Sequence, residues 1–154
     1  MKWDSDEFRA TRDRKMLAWM CGNEDAVRVV VQTSHIAEVW DDLADKDRTP
    51  TDREIAHAFE SAMIHLQTNR FYLANHAMLM GVIVLVANAW HDANQWEVCG
   101  DWRAHQAFYL RNMGIELAIL CAFICGGYDH MRRVSTEIRE FFHHETFEEW
   151  RHAA

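Results

Sequence analysis

A chain of 154 residues, 49% hydrophobic and 26% charged, is one domain's worth of globular sequence, which excludes general disorder. One proline and six glycines leave little material for tight turns between strands. A net charge of -8 argues against non-specific nucleic-acid binding, and phosphate would have to be handled through a metal ion or local arginines.

The predicted elements are helices throughout. Asp6–Met20 is amphipathic, carries Phe8, Leu17 and Met20, and stops at Gly22, which makes residues 1–22 an N-terminal helical segment. Asn23 caps the next helix, with Glu24 and Asp25 at its positive end, and that helix runs to about Asp47. Lys46–Pro50 is the clearest break. Thr51-Asp-Arg-Glu54 then forms a capping box that opens a helix with Ile55, Phe59, Ala62, Met63 and Leu66 on its core side.

After a short turn at Thr68-Asn-Arg, Phe71–Gln95 reads as a helix apolar on most sides and therefore central. Asp101 caps a long helix reaching Cys125, and Gly126-Gly127 closes it. Asp129 caps another helix to about Phe142, Thr146-Phe-Glu-Glu149 marks a last turn, and residues 143–154 read as a mobile tail. The expected fold is all-α: a single-domain helical bundle of five to six helices over residues 1–154, with two central apolar helices.

Cys21, Cys99, Cys121 and Cys125 show no CxxC spacing and read as reduced, buried thiols in a cytoplasmic protein. The polar start, Met-Lys-Trp-Asp-Ser-Asp-Glu, does not read as a secretory signal. The apolar runs Ala77–Trp90 and Ile115–Cys125 fall short of the roughly 20 residues that span a bilayer, so no membrane association is expected. A homodimer would help to cover so many apolar helix faces.

The densest chemistry lies in His35-Ile-Ala-Glu-Val-Trp-Asp-Asp-Leu-Ala-Asp45. Wound at about 100° per residue, it puts Ile36, Trp40 and Leu43 on one stripe. His35, Glu38, Asp42 and Asp45 fall opposite, with Asp41 at the edge. Four carboxylates within two turns repel one another unless a cation or bulk water screens them. The face is therefore either a site for a hard cation such as Mg²⁺ or Mn²⁺, or solvated surface.

Two polar stripes sit on the apolar helices. His105, Tyr109, Asn112 and Glu116 follow one another at spacings of four, three and four within an otherwise greasy helix. A buried carboxylate at Glu116 needs a metal or an arginine, with Arg111, Arg132 and Arg133 as candidates. On the preceding helix, Ala74, Ala77, Gly81, Asn88, Asp92 and Gln95 share one side, which reads either as a pocket wall or as a tight helix contact. Glu54-x-x-His57 and Glu140-x-x-His143 have the spacing of di-iron bundles. The capping box already explains Glu54, however, and His57 faces away from the predicted core stripe.

Asp41-Asp42-Leu-Ala-Asp45 resembles the DDxxD motif of isoprenoid synthases, whose aspartates hold Mg²⁺ against a diphosphate. Glu38-x-x-Asp41 and the all-helical length are similar to all-α nucleotide pyrophosphohydrolases, which implies Mg²⁺-dependent attack on a nucleotide. His91-Asp92 resembles the doublet of HD-type phosphohydrolases. The run from His35 through Asp47, Asn88, His105–Gly127 and Glu137-Ile-Arg-Glu is similar to small uncharacterised all-helical proteins of tailed phages. That resemblance implies an accessory protein in the host cytoplasm.

The leading expectation is a Mg²⁺- or Mn²⁺-dependent enzyme acting on a phosphate- or diphosphate-bearing small molecule such as a nucleotide. Glu38, Asp42 and Asp45 would hold the metal, with Asp41 in reserve, and Glu116 would add a ligand or a base. His35 or His105 would serve as acid and base, while Asn88, Asp92, Tyr109 and Asn112 would position the substrate. The rival expectation is a non-catalytic phage or bacterial accessory protein that binds a host or virion protein. It is motivated by seven tryptophans and the aromatic segment Phe141–Trp150.

Overall fold

A computed structural model describes residues 6–46, 48–143 and 145–153. It is all-α, 86% helical, with no strand among the described residues. Asp47, which belongs to the phage-like run, lies outside the described residues. The chain divides into two compact units, Met1–His76 and Ala77–Ala154.

In the first unit, α1 (Asp6–Trp19) ends where Gly22 adopts φ 81 and its N–H donates to the Leu17 carbonyl at 2.8 Å. The Asn23 side chain accepts from the Ala26 N–H at 3.0 Å and opens α2 (Glu24–Asp45). Met16, Trp19 and Met20 of the first helical segment are buried, as are Ala26, Val29, Val30 and Val39 of α2. The capping box forms as expected: Thr51 Oγ1 accepts from the Glu54 N–H, and Glu54 Oε2 accepts from the Thr51 N–H at 2.7 Å.

That box starts α3 (Asp52–Glu60), which continues through a π-helical turn, Ser61–His65, and a final turn, α4 (Leu66–Thr68). The core side of this helix differs from the one expected. Ala58, Ser61 and Leu66 are buried, whereas Phe59 and Met63 are exposed. Small side chains at Ala58 and Ser61 fit a close helix contact, and the π turn shifts every later residue around the axis.

The helix expected over Phe71–Gln95 is interrupted. A short helix, α5 (Arg70–Ala74), stops at Asn75, whose Nδ2 donates back to the Phe71 carbonyl at 2.9 Å and so competes with the helical ladder. Asn69 holds α5 in place. Its Oδ1 accepts from the Tyr72 N–H at 2.9 Å, and its Nδ2 donates to the Asp25 carbonyl of α2 at 3.0 Å.

The second unit begins within α6 (His76–Trp96). The sequence makes this helix central; in the structure only Leu79, Ala89 and Ala93 are fully buried, and one whole flank is open. Asp101 caps α7 (Trp102–Arg111) as expected. The long helix expected to reach Cys125 breaks at a 3-10 turn, Asn112–Gly114, where the Asn112 amide donates to the Phe108 carbonyl at 2.8 Å.

Next comes α8 (Ile115–Phe142), with non-helical backbone at Gly127 (φ 79, ψ -179). The stop expected at Gly126-Gly127 is thus a sharp bend in a conformation that side-chain-bearing residues rarely adopt. Asp129 lies inside the following helical stretch and caps nothing. Leu117, Ala118, Ile119, Cys121 and Ala122 before the bend are buried, as are Ser135 and Ile138 after it.

The final turn expected at Thr146 is a helix, α9 (Phe147–Ala153), opened by reciprocal Thr146–Glu149 hydrogen bonds. Phe147 and Trp150 set their rings 5.9 and 5.6 Å from that of Phe108 on α7. Among the described residues, Trp102–Arg151 contains one stretch that could cross a membrane by length and composition alone.

Candidate functional site

The acidic side of α2 is tied to the start of α3. Arg48, between the helices, pairs with Asp42 through Nη2 and with Glu54 through Nη1, the latter at 2.9 Å. Glu54 also accepts from the Thr51 N–H and hydroxyl, and these contacts, with the Arg48 guanidinium after them, pull its carboxyl down to about 2. Asp42 is therefore engaged in an ion pair. Asp41 and Asp45 are half-buried, and Glu38 is exposed.

The apolar stripe expected opposite them is not the buried line. Trp40 and Leu43 are 43% and 48% exposed, while Val39 is buried. Residues half-way between two faces of a wheel are assigned by what packs beside them, which periodicity alone does not give.

His35 is placed differently from its acidic neighbours. Its Nε2 is buried and has no hydrogen-bond partner, a state shared by Gln32 Oε1 one turn earlier and Ser61 Oγ on the π turn. The His57 ring lies 4.7 Å from that of His35, and the His65 ring lies 6.4 Å beyond His57. Gln32 and His57 also line an open cavity of about 290 Å³, together with Val27, Val31 and Arg28. The sequence sets His57 off the predicted core stripe, and the structure leaves it exposed; its nearness to His35 comes from the packing of α3 beside α2, which spacing along the chain does not give.

In the second unit the predicted site residues are spread over separate contacts. Glu116 accepts from Arg139 Nη1 at 2.6 Å, not from the candidates Arg111, Arg132 or Arg133. Arg111 instead pairs with Glu97 and reaches Asn94. His105 stacks on Phe147 with ring centres 3.8 Å apart. Tyr109 is 62% exposed, and Asn112 is committed to the Phe108 carbonyl.

The stripe His105–Glu116 is therefore not a buried line. The 3-10 turn rotates the chain by about 120° per residue instead of 100°, so α7 and α8 do not share one wheel. On α6 the Asn88 amide donates to Asp92 at 3.0 Å on the exposed flank, one turn apart. The stripe of small residues at Ala77 and Gly81 lies on that same open flank, and a Cβ added at Gly81 would meet no atom within 4 Å.

Each of these acidic groups thus has its account inside its own unit: Asp42 through Arg48, Glu116 through Arg139. Among the described residues no three His, Cys, Asp or Glu side chains already converge on one metal-sized point. No family model matches the chain, and no curated protein or solved structure is significantly similar to it.

Proposed function

We propose that this chain is a non-catalytic accessory protein that works by binding another polypeptide, and that α6 is the binding element. The observation that carries this reading is the open flank of α6. Ala77, Met78, Gly81, Val84, Leu85 and Asn88 fall within about 120° of one another on the helix and are all exposed. Met78, Val84 and Leu85 are 49%, 58% and 62% exposed, and no charge interrupts the face between them. A contiguous uncharged apolar strip of this kind marks an interaction surface.

The chemistry of the face names the occupant. Ala77 and Gly81 leave room for a backbone to approach, which suits a helix laid along the strip. The net charge of -8 opposes a second copy and favours basic flanks on the partner. The partner is thus a basic amphipathic helix of a different protein; the phage resemblance would make it a host or virion protein.

A fluorescently labelled Leu/Lys amphipathic peptide tests this against a Leu/Glu peptide of the same pattern. Binding of the Lys peptide, weakened at least tenfold in a Val84→Asp/Leu85→Asp variant with unchanged melting temperature, supports the proposal. Equal binding of both peptides, or no effect of the variant, overturns it. So does a homodimer that the same variant dissociates.

A second reading keeps the metal-dependent enzyme acting on a phosphate-bearing small molecule. It is favoured by the half-buried state of Asp41, Asp42 and Asp45, which are not splayed into water. Mg²⁺ or Mn²⁺ should then raise the melting temperature of the wild type and leave Asp42→Ala unmoved. An unchanged wild-type melting temperature removes this reading.

A further inference from the structure

We propose that His35, His57 and His65 form a capture site for a single divalent transition-metal ion of the Zn²⁺ class. Imidazole nitrogen is the preferred ligand of such ions, whereas Mg²⁺ takes oxygen, so this site is chemically separate from the carboxylates of α2. It also stands independently of partner binding by α6.

Three observations meet at this point of the first unit. The first is distance. Two imidazoles bound to one Zn²⁺ at about 2.0–2.1 Å hold their ring centres roughly 5 Å apart. His35 and His57, from α2 and α3, already stand 4.7 Å apart. His65 needs to close from 6.4 Å, and both His57 and His65 are exposed, with room to turn about their side-chain bonds.

The second observation is the π turn, Ser61–His65. In an uninterrupted α-helix, residues eight apart lie about 80° from each other on the wheel. A π turn accommodates one extra residue, so eight residues cover the rotation of seven and the offset falls to about 20°. The local defect therefore brings His65 under His57 on the side that meets α2. Single π turns recur at functional sites for this kind of reason.

The third is the orphaned nitrogen. His35 Nε2 is buried without a partner, and Gln32 Oε1 and Ser61 Oγ beside the same helix pair share that state. Buried polar atoms are nearly always satisfied, and a metal ion with its remaining water ligand would satisfy this group. Nearby cationic charge is already neutralised, since Arg12 pairs with Asp13 at 2.9 Å and Arg28 with Asp25 at 2.6 Å.

The test is calorimetric titration of the tag-free chain with Zn²⁺, backed by Co²⁺ absorption to report the ligand field. One equivalent should bind. His57→Ala and His65→Ala should each weaken binding at least tenfold, and His35→Gln should do the same if it folds. His91→Ala on α6 and His143→Ala after α8 should leave it unchanged. Absence of Zn²⁺ binding to the wild type at micromolar concentration overturns the proposal. So does binding that survives both exposed-histidine variants, or that is lost in His143→Ala instead.

Discussion

Glu116 and Arg139 lie 23 residues apart within one helical stretch, yet their side chains meet at 2.6 Å. A straight α-helix would separate them by about 34 Å. The chain therefore folds back on itself at Gly127, and α8 is two antiparallel helices joined by one left-handed residue. The tightness of the bend shows at Gly126, where an added Cβ would fall 2.4 Å from the His130 ring.

The bend predicts an asymmetry between two substitutions. Gly127→Ala should destabilise the protein by roughly 1–2 kcal/mol, because a side chain disfavours φ 79. Glu116→Gln should cost less than about 1 kcal/mol, since both partners of its ion pair are at least 38% exposed. Urea melts followed by circular dichroism decide the order; equal stability of Gly127→Ala and wild type contradicts the reversal.

The Thr51–Glu54 box makes stability depend on pH in acid. Glu54 titrates at about 2 in the folded chain and near 4.3–4.5 when unfolded. A depressed carboxyl contributes stability that is complete above the unfolded value and is lost as pH falls through the folded one. Melting temperature should therefore drop between about pH 4.5 and 2, and Glu54→Gln should flatten that part of the curve. A variant whose acid limb matches the wild type would show that other groups govern it.

Thiol chemistry should separate the cysteines. Burial, with Cys125 adding to it, pushes the Cys121 thiol up to about 12, whereas Cys21 is exposed. At pH 8 iodoacetamide should modify Cys21 in the native protein and reach Cys121 only after denaturant is added. Rapid native labelling of Cys121, read by peptide mass spectrometry, would contradict its burial.

Within α6, Leu79 and Leu85 should behave oppositely. Leu79 is fully buried, so Leu79→Ala should cost about 2–5 kcal/mol. Leu85 is 62% exposed, and Leu85→Ala should stay within about 0.5 kcal/mol of wild type. Comparable losses at both positions would mean that the open flank is covered.

Asn69 is buried and bonded on both sides of its amide. Asn69→Ala takes the cap acceptor from the buried Tyr72 N–H and removes the second donor to the Asp25 carbonyl, and it should cost about 1–3 kcal/mol. Asn69→Asp keeps the acceptor for Tyr72 and loses only the donor, so it should fall between alanine and wild type. Denaturant midpoints rank the three.

The sequence by itself determined the class of fold and most helix ends, because those rest on interactions between neighbours in the chain. Asn23, Thr51 with Glu54, Asp101 and Gly127 each act within a few residues, through a cap bond or a backbone angle, and each does what its residue type requires. Tertiary structure alone decided which face of each helix is covered and which polar groups meet. Phe59, Met63 and the flank of α6 read as core by periodicity and stand open; Glu116 found Arg139 only because the chain turns back. His35, His57 and His65 share a place only through a π turn and the packing of two helices. Spacing along a chain fixes angles within one regular helix, and it loses that hold wherever the helix is interrupted or a second one must be chosen to pack against it.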